Sequence, residues 1–378
     1  MQVVWKGPFF DITGYGAVAR GYVDSLDRMG VNIRVIIERR GFPGLIPAGL
    51  RERIYRLAQR PAEKPSRTVF IRHSIPDRFE RMGSFSMGVT AWETDRIHPL
   101  WRDWCNAMDA VGVPSRMNVE SFIAGGLNRP VELLRYGIDQ SFLNPGAVHD
   151  DPLAGRNAPP FRFLSVFDWV YRKGYDVLFR AFWEEFNRGD GVCLVIKTGH
   201  GSFNAGTGES ILGEMKRLGE KIGPRGNAAP VFFFAGNTDT ESLIRLYKSC
   251  HCFVLPSRGE GAGLPLLEAG ALGMPVISTG WGGQTDFLDE DNSFPVEYTL
   301  SPVPIQRHCP YYQPDQLWAE PDPDDLRKKM RWVLENHRLS LERGSRLRDF
   351  ILSRYTWDRA AGDVIDAVRK VAGIDCLC

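Results

Sequence analysis

Short runs of β-branched and aromatic residues alternate with longer stretches whose apolar positions recur every three or four residues, and this alternation runs along most of the chain. Residues 3–5 (VVW) open as a strand and lead into a glycine-rich loop. Residues 17–29 then carry apolar positions at helical spacing until Gly30 stops them, and 32–38 (NIRVIIE) reads as the next strand. Further strands are predicted at 68–72 (TVFIR), 86–91 (SMGVTA), 110–113 (AVGV) and 131–134 (VELL), and Ser115 is placed to cap a helix through 123. Strand–helix alternation of this kind predicts a parallel sheet covered on both faces.

Residues 144–161 (NPGAVHDDPLAGRNAPPF), dense in Gly, Pro, Asn and Asp, read as a linker. The alternation then resumes, with strands at 163–167, 192–198, 231–235, 252–255 and 275–278 and helices at 175–187, 209–222, 240–249 and 264–272. Two such series predict an α/β protein of two Rossmann-like domains facing a cleft, one over 1–150 and one over 151–355. The proline-rich stretch 301–325 reads as a surface excursion, and 356–372 (TWDRAAGDVIDAVRKVA) as a strong amphipathic helix.

Composition narrows the class. The charged share of 25% is that of a globular protein, and 47 basic against 46 acidic residues leave +1, no field to recruit nucleic acid. No run approaches the ~20 apolar residues of a membrane span. The start MQVVWKGPFF lacks the long apolar stretch of a signal peptide, so a cytoplasmic protein is expected. The closest cysteine pairs, Cys250-His-Cys252 and Cys376-Leu-Cys378, have one residue between them instead of the two of a zinc knuckle, which predicts reduced thiols and no metal site.

The chemistry concentrates in 256–268 (PSRGEGAGLPLLE). Strand 252–255 ends there, glycines follow, and Pro265 opens a helix whose N–H groups and dipole invite an anion. Two carboxylates, Glu260 and Glu268, share the same stretch. They are useful beside an anion only if the ligand also offers hydroxyls, because an ionised Glu is a pure acceptor. A diphosphate between two polyhydroxylated rings meets both demands; two surface charges favouring a helix start are the plainer explanation.

Glu260-x7-Glu268, with Gly261, Gly263, Leu264, Pro265, Ala269, Gly273, Pro275 and Val276, resembles the signature of retaining family 4 (group 1) glycosyltransferases of the GT-B fold. The likeness extends to Trp281-Gly-Gly283, to 165–182 and 233–247, and more loosely to 113–122 and 130–145. It implies a nucleoside-diphosphate sugar as donor, no cofactor, no metal, and a carbohydrate, lipid-linked or other hydroxyl acceptor. It also implies that 1–150 is the acceptor-side domain and 151–355 the nucleotide-sugar-binding domain, with a terminal helix (356–378) that crosses back to the first. By the same resemblance Glu260 holds donor-sugar hydroxyls, Glu268 the ribose diol, and Lys173 the diphosphate, aided by Arg172 and the N–H groups of Gly261, Ala262, Gly263 and Leu264. A lysine at a helix start opposes the dipole unless an anion is near. The arginine usual five residues before that lysine is replaced by Asp168. Gly14 and Gly16, after strand 3–5, match the family's phosphate-covering loop; alone they fit an ordinary turn.

His73 and Glu93 end predicted strands, where open α/β sheets place ligands, and are candidate sugar or acceptor contacts, as are Gly282 and Gly283. His200 follows another strand end. Nine basic residues (Arg39, Arg40, Arg51, Arg53, Arg56, Arg60, Lys64, Arg67 and Arg72) face only Glu52 and Glu63 within 39–72, so peripheral contact with an anionic membrane competes with a solvated helix face. A nucleotide-sugar epimerase and a non-catalytic nucleotide-sugar-binding protein are the alternative functions. A dinucleotide oxidoreductase is disfavoured, since no GxGxxG follows the first strand.

Overall fold

In the computed structural model, which describes residues 1–38, 41–146, 150–199, 210–222, 226–305 and 309–373, the apolar runs form two parallel sheets, each within its own unit. The first unit comprises Met1–Asp139 with Arg354–Cys378, the second Gln140–Ser353. The Gly/Pro-rich stretch 144–161 falls inside the second.

In the first unit, β1 (Gln2–Gly7), β2 (Ile33–Ile37), β3 (Thr68–His73), β4 (Phe85–Val89), β5 (Ala110–Val113) and β6 (Val131–Leu133) lie in the order β2-β1-β3-β4-β5-β6. Val3, Val4 and Trp5 of β1, and Val69, Phe70 and Ile71 of β3, are buried, as continuous apolar strands in a doubly covered sheet should be. The chain leaves β1 to one side for β2 and returns on the other side for β3, so the connection reverses between β1 and β3.

Helix Trp357–Ala372 is built into this same unit. Its face of Ala360, Ala361, Val364, Ile365 and Val368 is buried, each larger side chain worth roughly 1.5–3 kcal/mol. At its start the Trp357 indole lies edge-on to Tyr22, with ring centroids 5.3 Å apart. A Cβ at Gly21 would come within 2.0 Å of that indole, so the contact requires glycine. Ser25 donates to Asp358 (2.6 Å), and Lys370 pairs with Glu132 (2.8 Å) near the other end.

In the second unit, β7 (Phe161–Val166), β8 (Val192–Thr198), β9 (Val231–Ala235), β10 (Cys252–Leu255), β11 (Val276–Thr279) and β12 (Phe294–Val296) lie in the order β12-β11-β10-β7-β8-β9. The reversal here falls between β7 and β10. Within 301–325, expected as a surface excursion, the described residues include regular structure that the sequence pattern does not predict. β13 (Tyr298–Pro302) and β14 (Leu317–Pro321) pair antiparallel, and helix Pro323–Glu335 follows under an Asp322 cap. The reason is burial: Trp318 is 1% exposed and Tyr312 6%, while the prolines, which cannot donate to a ladder, lie at strand ends and in the loop. No helix among the described residues is long and apolar enough to cross a membrane.

Candidate active site

Ligands of open α/β sheets bind beyond the carboxyl ends of the strands, where the connection reverses. In the second sheet that point lies between the loops after β7 and β10. After β7, Tyr171–Lys173 forms a single 3-10 turn ended by Gly174, whose φ of +67° also starts helix Tyr175–Glu185. A Cβ on Gly174 would sit 1.9 Å from the Pro256 carbonyl oxygen, so the absent side chain lets the two loops touch. The Arg258 N–H then donates to the Arg172 carbonyl (2.7 Å), as does Ser257 Oγ (3.2 Å).

This contact brings Lys173 Nζ to 2.6 Å from Glu260 Oε1, and Arg172 Nη1 to 3.6 Å from the same oxygen. Arg172 also donates to the Gly259 carbonyl. The family resemblance implies that lysine and glutamate hold different parts of a ligand. The structure adds that they pair directly, and that the anion balancing Lys173 at a helix start is Glu260. Burial of Glu260 (5% exposed) on its own raises its pKa; the charges of Lys173 and Arg172, with hydrogen bonds from Lys173 and Ser257, outweigh burial and hold it below its ordinary value.

Three residues after Glu260, Gly263 (φ +83°) caps helix Leu264–Ala271 in a backbone conformation that favours glycine. Among the described residues, nothing accepts from the N–H groups of Gly261, Ala262, Gly263 or Leu264. Four N–H groups of the loop and the helix start thus lack acceptors beside a Lys–Glu–Arg cluster. Glu268, half-buried in the second turn, accepts from the Tyr247 hydroxyl (2.8 Å). Burial first, and Glu268's charge second, push the Tyr247 pKa well up, so the phenol stays a donor that orients the carboxylate. The Gly283 N–H donates to the Glu260 carbonyl (2.8 Å), which ties the Trp281-Gly282-Gly283 loop to the same cluster. Gly282 holds φ +116°, a value that favours glycine.

In the first unit, Gly14 and Gly16 begin helix Gly14–Arg28 directly beyond β1, at that sheet's reversal. A Cβ on Gly16 would lie 2.0 Å from the Asp11 carbonyl oxygen, so the loop closes tightly. Tyr15, between the glycines, has its ring 5.3 Å from His73 and its hydroxyl 3.0 Å from Thr90 Oγ1. Burial pushes the Tyr15 pKa up to about 12, eased by the Thr90 bond and reinforced by the charge of Glu93. The glycine loop, His73 and Glu93 thus share one neighbourhood, with Tyr15 as the link. His73 is 0% exposed between Trp5 and Tyr15, and its ring nitrogens find no partner among the described residues. Burial, and then the Arg72 charge, lower its pKa to about 3, so the ring is neutral at physiological pH.

Of the seven described basic residues expected to form a face over 39–72, four are ion-paired. Arg53 pairs with Asp24, Arg56 and Arg60 with Asp27, and Arg72 with Glu38, all at 2.7–2.8 Å. The counter-ions belong to helix Gly14–Arg28 and the end of β2, outside the window in which the charges were counted. Arg39, Arg40, His200, Cys376 and Cys378 lie outside the described residues. Three contributors escaped the sequence reading. Tyr15 was signalled only by its flanking glycines and Tyr247 only by its helix, while Arg258, next to the quoted glycines, gave no sign of its partners.

Residues 154–297, which contain every cluster residue of the second unit, match the family model for group 1 glycosyl transferases. Over 162 residues the chain is 31% identical to D-inositol 3-phosphate glycosyltransferase of Corynebacterium jeikeium (strain K411), covering 42% of this chain and 37% of that one. Over 73 residues it is 33% identical to sulfoquinovosyl transferase SQD2 of Arabidopsis thaliana, covering 19% of this chain and 14% of that one. The matched segments thus span well under half of these curated relatives. The solved structure of Anabaena HepE in complex with UDP-glucose superposes with a TM-score of 0.68 at 12% identity, covering 98% of this chain and 100% of that one. At that identity the likeness establishes the fold, and the fold is GT-B.

Proposed function

We propose, from the premise that residues 154–297 form a group 1 glycosyltransferase domain, that this chain moves a sugar from a nucleoside diphosphate to an acceptor hydroxyl and keeps the anomeric configuration. One observation carries the reading. At the reversal of the second sheet, Lys173, Arg172 and four N–H groups without acceptors among the described residues adjoin two carboxylates suited to hydroxyls. HepE, which shares the fold, was solved with UDP-glucose, a ligand of the class this arrangement fits.

The chemistry follows from charge. As the anomeric C–O bond to the diphosphate breaks, negative charge grows on the phosphate oxygens. Lys173, Arg172 and the N–H groups of Gly261–Leu264 stabilise it, the part a divalent metal plays in other transferases. The sugar gains oxocarbenium character, and Glu260, kept ionised by its cations, accepts from its hydroxyls. The acceptor oxygen bonds to the anomeric carbon on the face the diphosphate leaves, and its proton passes to a diphosphate oxygen. Glu268, oriented by Tyr247, takes the ribose hydroxyls. Gly14, Gly16, His73 and Glu93 are assigned to the first domain's share of donor and acceptor binding. The acceptor class is a glycan, glycolipid or cell-surface polysaccharide precursor.

Thermal unfolding with UDP-, GDP- and ADP-sugars tests the reading. At a hundredfold excess over Kd a donor stabilises by about 2.7 kcal/mol, so one series should raise the melting temperature clearly. Transfer of labelled sugar from that donor should persist in EDTA. No shift with any of the three, or release of an epimerised nucleotide sugar instead of transfer, would overturn it.

A further inference from the structure

One buried cation has no part in the chemistry above. Arg258 is 1% exposed, yet each of its five N–H donors is used. Nη1 and Nη2 each reach an oxygen of Asp176 at 2.8 Å, Nε and Nη2 reach the two oxygens of Glu320 at 2.6 and 2.7 Å, and Nη1 also donates to the Tyr171 carbonyl at 2.7 Å. The guanidinium lies 3.8 Å from the centroid of the Tyr171 ring. Asp176 stands in the first turn of helix Tyr175–Glu185 and Glu320 on β14, whose Ala319 N–H donates to the Arg258 carbonyl (2.9 Å). Trp318 of the same strand packs near the Tyr171 ring at 6.0 Å. Arg258 thus fastens the turn that ends in Lys173, the loop that carries Glu260, and the β13–β14 hairpin to one another.

We propose that Arg258 is a positioning residue that sets Lys173 against Glu260, and that the hairpin, through Glu320, is part of the donor site's frame. Stability alone is a weak reason for burying an arginine this deeply between two part-exposed carboxylates, because well-packed apolar residues often serve as well. A planar fork bonded to two carboxylates and a carbonyl fixes distance and angle, which a lysine cannot reproduce. The proposal rests on the donor reading above and adds what keeps the phosphate cation in place.

The test is a double-mutant cycle in the full chain, read by calorimetric titration of UDP, GDP and ADP. Glu320→Gln and Arg258→Lys are each made alone and combined with Lys173→Met, all measured below the onset of unfolding. Either brace variant is expected to weaken binding of the favoured diphosphate about 10-fold in the wild-type background. In the Lys173→Met background the further loss should be less than about 2-fold, because the brace acts through Lys173. Should Arg258→Lys fail to fold, Glu320→Gln, whose side chain is 36% exposed, decides alone. Unchanged affinity, or equal losses in both backgrounds, overturns the positioning role and leaves the donor reading standing. A wild-type chain that binds none of the three overturns the donor reading and this inference with it.

Discussion

Replacing Lys173 with methionine keeps most of the side chain's stem and removes its charge. In the folded chain the Lys173 and Glu260 side chains are 12% and 6% exposed, with the charges 2.6 Å apart and Arg172 3.6 Å from the same oxygen. At an effective dielectric of ~20 the gross attractions are about 6 and about 5 kcal/mol, before desolvation is subtracted. Removing one partner of a buried pair costs about 3–5 kcal/mol when the other is left alone. Because Arg172 still faces Glu260, about 2–3 kcal/mol is expected here, a fall in Tm of roughly 5–10 °C for a unit of this size.

The pH dependence identifies the cause. Glu260 has a folded pKa below its ordinary 4.5, so its stabilisation is complete above that value and is lost as pH falls through the folded pKa. Without Lys173, burial loses its main opponent and the carboxyl moves up. The gap between wild type and variant is therefore widest near neutral pH and closes on acidification. Calorimetric or circular-dichroism melting from neutral pH down through the carboxylate range reads this directly. Equal melting temperatures at neutral pH, or a gap that pH does not change, would refute the electrostatic account. Turnover should fall by about 10²–10³-fold.

Glu268→Ala removes a charged acceptor and should weaken nucleoside diphosphate binding by about 10-fold or more, while abolishing discrimination against the 2′-deoxy ligand in the same titration. Gly174→Ala forces a Cβ towards the Pro256 carbonyl at a positive φ. It should lower stability by about 2 kcal/mol or more and reduce transfer activity, as seen by denaturant melts and initial rates. Trp357→Ala empties the contact with Gly21 and Tyr22; about 3 kcal/mol of destabilisation and faster proteolysis of the terminal helix are expected.

The periodic parts of the fold were legible because a parallel strand buried on both faces is a continuous apolar run and a covering helix is a stripe. That logic located β1, β3, β8 and β10 and the terminal amphipathic helix, whose place in the first unit was implied only by the family resemblance. It gave no account of the β13–β14 hairpin, because Trp318 and Tyr312 stand among prolines that mask any alternation. In the site, Glu260 and Glu268 stood out by type and spacing, and Lys173 through the family resemblance. That Glu260 pairs with Lys173 depends on Gly174 permitting two loops to touch across 87 residues, which no local pattern encodes. The arginines of 39–72 looked like a basic surface for the same reason: their partners Asp24, Asp27 and Glu38 are distant in sequence and adjacent in space.

The central claim is that a diphosphate is held by Lys173 and the N–H groups opening helix Leu264–Ala271. A crystal structure of the protein with the nucleoside diphosphate that raises its melting point most tests this directly. The account predicts phosphate oxygens within hydrogen-bonding distance of Lys173 and of at least two N–H groups among Gly261–Leu264, with the ribose hydroxyls on Glu268. A nucleotide bound elsewhere, or one whose phosphates point away from both, would contradict it.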